Sequence, residues 1–155
     1  MNFYQVIKFV LKNLLYFYIN FIQVINTCFK KYSVFKGRAD RAEYWYWRLF
    51  EFFLALGSFR LDQIFFDENT TGLFSMFIFF FTFLPGISVS VRRLHDVDRS
   101  GWWLLLPFGG IFVFFFTKNI NMSIILSTLG FLLLLFWFVL PGTNGENKYG
   151  KNTYR

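Results

Sequence analysis

Charged side chains are missing from long stretches of this chain. No aspartate, glutamate, lysine or arginine occurs between Glu68 and Arg92, between Arg99 and Lys118, or between Lys118 and Glu146. A water-soluble fold needs polar faces that such stretches do not supply, whereas ~20 mostly apolar residues carry a helix across the hydrocarbon core of a membrane. The gaps therefore exclude an ordinary soluble domain and predict membrane spans.

Cysteine and proline are also scarce. Cys28 is the only cysteine, so no intrachain disulfide can form and no redox compartment can be inferred. The N-terminus lacks a short apolar core followed by a small-residue cleavage site, so we expect no removable signal peptide. Pro85 lies inside an apolar run, where proline frees a backbone carbonyl that then needs another partner.

Apolar residues, in contrast, are abundant: they make up 55% of the chain and include 26 phenylalanines. Their runs predict four spans, at about 44–59, 73–91, 102–116 and 124–140. We expect Pro85 and Gly86 to interrupt the second span, and the polar residues from Arg92 to Gly101 to form a connector. The predicted fold class is an all-α integral membrane protein, with a four-transmembrane-helix bundle in residues 32–155.

Residues 1–31 form a separate segment with a helical polar stripe. Polar side chains recur there every three or four positions, at Gln5, Lys8, Lys12, Asn20, Gln23 and Thr27, with Tyr16 filling the gap in the series. The remaining face is broad and apolar, so we expect an amphipathic helix from Phe3 to Phe29 that lies in the membrane interface or packs against the bundle. The alternative is a fifth span, which would place the N-terminus outside.

The distribution of basic residues predicts the orientation. Fourteen of the sixteen lysines and arginines fall in positions 1–48, 92–99 and 148–155, and the opposite loops hold only Arg60 and Lys118. Cytoplasmic loops carry the excess of positive charge, so both termini should be cytoplasmic. The net charge of +7 does not require nucleic acid, because the basic residues flank apolar runs where anionic lipid accounts for them.

Two pairs of side chains predict local structure near the first span. Asp40 followed by Glu43 is typical of a capping box, in which each side chain satisfies a backbone N–H of the first turn, so a helix should begin near Arg41. Arg48 and Glu51 lie three apart on one helical face and should pair, either as a structural salt bridge or as part of a transport path.

The connector that starts at Arg92 holds the only histidine and two carboxylates. Asp96, Asp98, Ser100 and Gly101 match the opening of a calcium loop, but the twelfth position is Pro107 where a bidentate glutamate is needed, so we expect no calcium site. We favour a structural hairpin in which Arg92, Arg93 and Arg99 hold lipid phosphates, while Asp96 and Asp98 pair with arginines or cap the next helix. Ser100 or Asp98 suits that cap, and the two tryptophans that follow would anchor the helix at the interface.

His95 with Asp96 could take part in acid–base chemistry or hold a metal, since imidazole titrates near neutral pH. No second histidine or cysteine cluster accompanies them, and no nucleophile motif is present. We therefore expect no metal, no cofactor and no catalytic residues.

Three motifs stand out along the chain: FKGRADRAEYW at 35–45, RRLHD at 92–96 with RSGWW at 99–103, and LPGT at 140–143 followed by Gly145, Asn147, Tyr149 and Gly150. In this order they resemble the motifs of the bacterial domain of unknown function 805 (DUF805) family. The resemblance covers about 32–150 and implies a small multi-pass protein of the bacterial inner membrane, with no established activity. The helix from Phe3 to Phe29 looks like an extension of the family pattern.

A set of charged residues from the first two motifs falls on the cytoplasmic side of this topology: Arg38, Arg41, Glu43, Arg92, Arg93, His95, Asp96, Asp98 and Arg99. We expect arginines and carboxylates of the two segments to pair across the mouth of the bundle and create a head-group or partner-docking site. The favoured function is a non-enzymatic membrane protein that binds anionic lipid or a protein partner. The alternatives are a small transporter or channel, which would have to oligomerise, and a membrane enzyme that acts on a phosphate-bearing substrate.

Overall fold

The computed structural model describes residues 3–66 and 72–151, and this part of the chain is all-α. Its α-helices are α1 (Phe3–Lys30), α2 (Arg41–Phe65), α3 (Leu73–Asp96), α4 (Gly109–Thr117) and α5 (Ile120–Val139), and a 3-10 helix (Gly101–Phe108) precedes α4. The predicted helical class is therefore confirmed. The end of the predicted basic tail, residues 152–155, lies outside the described residues.

Two helices, α3 and α5, are long and apolar enough to cross a membrane, and Gly101–Thr117 is a shorter apolar segment. Only 33% and 28% of the most apolar windows of α3 and α5 are buried inside the protein. Their phenylalanines and leucines therefore face outward along most of their length, which water would not tolerate and lipid would.

The helix α3 is longer than predicted and runs through its proline. It continues past Val91 to Asp96, so the first half of the predicted connector is helical. The helix is not broken at Pro85, and the kink expected there stays a prediction. Pro85 has no N–H for the carbonyl of Phe81, and the hydroxyl of Tyr32 donates to that oxygen instead, at 3.0 Å. A side chain from outside the helix thus supplies the partner that the freed carbonyl needs.

The helix α2 also exceeds its prediction, ending at Phe65 rather than near Phe59. Its last turns carry Asp62, whose carboxylate accepts hydrogen bonds from the backbone N–H groups of Phe74 and Ser75, at 2.8 and 2.9 Å. These are unpaired donors at the start of α3, so Asp62 serves as an N-cap supplied from the neighbouring helix. The predicted span ends near residue 59, which would leave Asp62 in the loop that follows. The structure corrects this, because Asp62 lies inside α2.

The third predicted span, 102–116, consists of two pieces, the 3-10 helix and α4. Pro107 and the Gly109, Gly110 pair predict a break in this span, and the change from 3-10 to α-helix occurs there. Both pieces pack closely on α5, where a Cβ atom added to Gly130 would lie 3.0 Å from the backbone of Leu106 and Pro107. Small residues permit such close approach between helices in membranes. The helix α5 begins at Ile120, before the predicted 124, because the Asn119 side chain accepts the N–H of Met122 at 3.2 Å.

The predicted helix in the first 31 residues is confirmed as α1. Its C-terminal half packs on α2, with Phe17 and Phe21 against Tyr46 and with Phe29 against Trp47. Residues 3–19 are exposed along every face.

Candidate functional site

The three family-like motifs meet at the C-terminal end of α3. Backbone carbonyls at a helix end have no partner within the helix and must find one elsewhere. The N–H of Ala39 donates to Arg92 O at 3.0 Å, and the N–H of Thr143 donates to Asp96 O at 2.9 Å. The side chain of Asn147 donates to His95 O, also at 2.9 Å. The segment before α2 and the tail after α5 are therefore fastened to the same helix end.

Asp96 is the centre of this arrangement and is completely buried. Its two carboxylate oxygens each accept from a different guanidinium: Arg38 Nε lies 2.8 Å from one, and Arg93 Nη1 lies 2.5 Å from the other. Both arginine side chains are also fully buried. We call these three residues the Asp96 cluster.

The remaining donors of Arg38 are taken by backbone carbonyls of the tail. Its Nη2 donates to Thr143 O at 2.6 Å, and its Nη1 donates to Gly145 O at 2.7 Å and to Gly150 O at 3.3 Å. Arg38, from the first motif, thus binds the carboxylate of Asp96 in the second motif and backbone carbonyls of the third motif.

Arg93 completes the cluster from the other side. Its guanidinium donates to Phe138 O at 3.2 Å and to Leu140 O, the last carbonyls of α5 and its C-terminal cap. Two guanidiniums against one carboxylate leave a buried excess positive charge, which the negative ends of α3 and α5 offset. The hydrogen bonds that surround the charges are what make their burial tolerable.

A second buried pair joins α2 to α3. Arg92 Nη1 donates to Glu43, and both side chains are buried. The sequence predicted that Glu43 would reach back to complete a capping box, and this half of the prediction is wrong because Glu43 is turned toward Arg92. The other half is confirmed, since Asp40 Oδ1 accepts the N–H of Glu43 at 2.7 Å.

His95 is half-buried beside the Asp96 cluster. Its Nδ1 lies 3.1 Å from Gly37 O, and because a carbonyl only accepts, Nδ1 carries the proton. The imidazole ring stacks on the ring of Tyr149, with centroids 3.7 Å apart. Within residues 3–66 and 72–151, no group of three His, Cys, Asp or Glu side chains could hold a metal ion.

The other predicted site residues, Arg41, Asp98 and Arg99, are exposed. Asp98 adopts a left-handed backbone conformation, and its carboxylate lies 3.8 Å from Lys148 Nζ. The guanidinium of Arg99 lies over the ring of Trp137, 5.3 Å from its centroid. Ser100, one of the two residues predicted to cap the next helix, is its N-cap. Five of the nine predicted residues are buried, three are exposed and His95 is half-buried. The prediction that Arg92 and Arg93 hold lipid phosphates is wrong, because both side chains are buried and paired inside the protein.

Arg48 and Glu51 form the predicted pair, with Arg48 Nη1 2.7 Å from Glu51 Oε2. The same guanidinium donates to Gly86 O at 2.7 Å, and Trp47 Nε1 donates to the other Glu51 oxygen at 2.7 Å. A Cβ atom on residue 86 would lie 2.5 Å from Glu51 Oε1, so a larger residue there would displace the Glu51 carboxylate from its contacts with Arg48 and Trp47.

Beside this pair runs a groove that the sequence did not predict. It lies between α2, α3 and the 3-10 helix and has a volume of about 1360 Å³. Its polar lining includes Arg48, Glu51, Lys36 and His95. The sequence could not predict this groove, because the groove exists only where the 3-10 helix is separated from α2 and α3 in the folded protein.

The thiol of Cys28 lies buried against the second ion pair and is 1% exposed. Burial, with the Glu43 carboxylate adding to it, raises the pKa of this thiol to about 12. Cys28 therefore stays protonated at neutral pH and acts as a small apolar side chain.

Outward-facing apolar helices and a buried, charged closure at one end define an all-α integral membrane protein. The chain belongs to the DUF805 family, described as proteins of unknown function, whose model matches residues 32–151. The first 31 residues thus precede the part that the family model matches, as the sequence predicted.

Similar proteins place this family in the inner membrane. The chain is 37% identical to the inner membrane protein YhaI of Escherichia coli K12 over 123 residues, which cover 79% of this chain and 88% of that protein. It is 33% identical to the inner membrane protein YhaH of the same organism over 127 residues, covering 78% and 88% of the two chains. No solved structure matches the chain. The chain is accordingly an inner membrane protein.

Proposed function

We propose that this chain is a four-span inner membrane protein whose basic cytoplasmic face binds anionic lipid head groups, without catalytic activity. The spans would be α2, α3, the 3-10 helix with α4, and α5. The observation that carries the proposal concerns the end of the bundle where the Asp96 cluster lies. There, the acidic residues that pair with arginines are buried, while most of the surrounding cations are exposed.

The Asp96 cluster supports the topology. It holds together the start of α2, the end of α3 and the segment after α5, so these three chain ends lie on one side of the bundle. The sequence segments that contain these chain ends, 1–48, 92–99 and 148–155, hold fourteen of the sixteen lysines and arginines, which favours a cytoplasmic position for both termini.

The order of contacts along α1 favours the interfacial position over a fifth span. Twelve residues separate Phe17 from Phe29, a rise of ~18 Å along the helix. An α1 that crossed the membrane beside α2 would bring Phe17 near the far end of α2. Phe17 instead packs on Tyr46, close to the start of α2, and Phe29 packs on Phe50. The helix thus crosses α2 steeply near its beginning, as a helix in the interface plane would.

The exposed cations at this end are the residues that we expect to meet lipid phosphates: Lys30, Lys36, Arg41, Arg99, Lys148 and Lys151. The exposed acids near them are Asp98 and Glu146. A basic residue near an anionic membrane surface contributes ~1 kcal/mol to the attraction. The buried arginines of the Asp96 cluster have a different role, because their donors are engaged inside the protein.

The features that suggested transport in the sequence are the Arg48–Glu51 pair and the breaks at Pro85 and Pro107. The helix α3 is continuous through Pro85, whereas the chain changes from a 3-10 helix to α4 just after Pro107. A docking role for a protein partner would use the same exposed cations, and the experiment below separates it from lipid binding.

The test is the preference of the protein for phosphatidylglycerol over phosphatidylcholine, measured by quenching of tryptophan fluorescence with brominated forms of each lipid. A variant with Lys30, Arg41, Arg99 and Lys151 changed to glutamine should lose this preference. The matched control is Arg60→Gln with Lys118→Gln, which removes exposed cations from the opposite end and should leave the preference intact. If the four-residue variant keeps the same preference for phosphatidylglycerol as the control, lipid binding by this face is contradicted. Binding of a protein partner then remains as the role of the exposed charge.

A further inference from the structure

We propose that the groove between α2, α3 and the 3-10 helix holds one anionic phospholipid, with its phosphate between Lys36 and Arg48 and its acyl chain along α3. This goes beyond the proposed function, which concerns the exposed face and many exchanging lipids. The groove would instead bind a single lipid at a defined position.

The dimensions of the groove fit a chain-like molecule. Residues from Ser75 to His95 of α3 line it, a rise of ~30 Å along the helix and so about the full thickness of the hydrocarbon core. Its volume of about 1360 Å³ exceeds the ~300–1000 Å³ that is usual for a site of a drug-sized ligand. A small polar solute would leave most of this space empty.

The walls below the mouth are mostly apolar, with only the hydroxyls of Ser58, Ser75 and Thr82 among them. The apolar part is formed by Ile78, Phe79 and Phe83 of α3 and by Leu104, Leu105 and Phe108 of the 3-10 helix. These side chains offer an acyl chain the same contacts as the hydrocarbon core does, but in a fixed position.

The charged groups of the groove lie toward the other end. Arg48 lies seven residues beyond the start of α2 at Arg41, which places it ~10 Å along the helix, near the boundary between head groups and hydrocarbon. Lys36 is exposed above it. The hydroxyl of Ser100 accepts the N–H of Trp102 and so keeps its own hydrogen for a ligand.

Arg48 is incompletely satisfied by the protein. Its side chain is 33% exposed, and its Nε is buried with no hydrogen-bond partner among the described residues. Glu51 neutralises the guanidinium, so Lys36 supplies the net positive charge of the mouth. A phosphate at the mouth would face the exposed part of the Arg48 side chain and supply a negative charge for Lys36.

Charge complementarity favours a lipid over a second copy of the chain. The outward-facing helices α4 and α5 carry no acidic residue, so packing either of them into the groove would cover the apolar walls without giving Arg48 and Lys36 an anion. A phosphate-bearing amphiphile matches both parts of the groove.

The experiment is native mass spectrometry of the full-length protein in detergent, titrated with dioleoylphosphatidylglycerol. We expect a saturable one-to-one complex that Lys36→Gln and Arg48→Gln each weaken ~10-fold, the usual order of effect for a lost charged contact. Arg41→Gln, which removes an exposed cation of the same end outside the groove, should weaken it less than ~2-fold.

A variant that changes no charge tests the position of the acyl chain. Ala55 of α2 lines the groove, and Ala55→Phe should obstruct it and abolish the complex. The matched control is Leu56→Phe on the exposed side of the same helix, which should bind as the wild type does. Binding by Ala55→Phe at wild-type strength would overturn the proposal, and so would a lipid-free dimer as the main species.

Two further probes separate the sources of phosphate. Glycerophosphoglycerol, the soluble head group alone, should compete poorly, because it lacks the chain that fills the apolar walls. Competition as strong as that of the lipid would show a site for free phosphate esters and overturn the lipid assignment. Equal binding of dioleoylphosphatidylcholine would overturn the selection for negative charge. The four-residue variant of the basic face retains Lys36 and Arg48 and should keep the one-to-one complex, so the two proposals fail separately.

Discussion

The buried carboxylate of Asp96 offers the sharpest test of how the three motifs hold together. Asp96→Asn keeps the shape of the side chain but leaves Arg38 and Arg93 without their counter-charge in a fully buried site. Breaking a buried pair in this way costs ~3–5 kcal/mol. For a chain of this length, 1 kcal/mol corresponds to roughly 2–4 °C in Tm, so we expect a decrease of about 6–20 °C.

A double-mutant cycle with Arg38→Gln isolates the contact between the two motifs. Arg38→Gln also loses the bonds to Thr143 and Gly145, so its own cost should equal or exceed that of Asp96→Asn. Because the two side chains touch, the double variant should be more stable than the sum of the single effects predicts, by ~1–3 kcal/mol. The assay is thermal unfolding in detergent, followed by tryptophan fluorescence. Strict additivity would refute direct pairing, and an unchanged Tm for Asp96→Asn would refute the structural role of the cluster.

Two further predictions concern the close packing around Gly86 and the burial of Cys28. Gly86→Ala forces a methyl group to within 2.5 Å of Glu51 Oε1 and should destabilise the protein by ~1–3 kcal/mol in the same unfolding assay, whereas Gly57→Ala on the open side of α2 should not. Cys28 should resist N-ethylmaleimide from pH 7 to pH 9, since burial raises the pKa of its thiol to about 12 and only the thiolate reacts. An added cysteine at the exposed Ser33 should react readily under the same conditions, and equal rates at both positions would contradict the burial of Cys28.

The pairs between charged side chains were the part of the site that the sequence could predict. Opposite charges near one membrane face have few alternatives to pairing, and spacing alone identified Arg48 with Glu51. The sequence could not predict that the tail would serve as the other half of the site, because its contribution comes from the backbone carbonyls of residues such as Thr143 and Gly145. Every residue has a carbonyl, so no residue type marks those positions.

The boundaries of α3 show why charge is an uncertain guide to where a helix ends. Arg92, Arg93 and Asp96 were assigned to a connector because charged residues usually end a membrane span. Arginine is nevertheless a good helix former, and these side chains find partners inside the protein, so the helix continues through them. Glu43 failed as a capping residue for the same reason, since a buried arginine competes for it.

The fastening of the tail to Arg38 and Arg93 has a consequence for the order of synthesis. Residues 38, 93 and 96 are synthesised before residues 138–150. The guanidinium groups of Arg38 and Arg93 can therefore bind the carbonyls of Phe138, Thr143 and Gly145 only after that later segment has been made. A chain that stops after the third apolar segment contains both arginines and the aspartate but lacks these acceptors. Synthesis of the C-terminal segment is therefore also the step that completes the closure at this end of the bundle, and a shorter chain leaves Arg38 and Arg93 without these carbonyl acceptors.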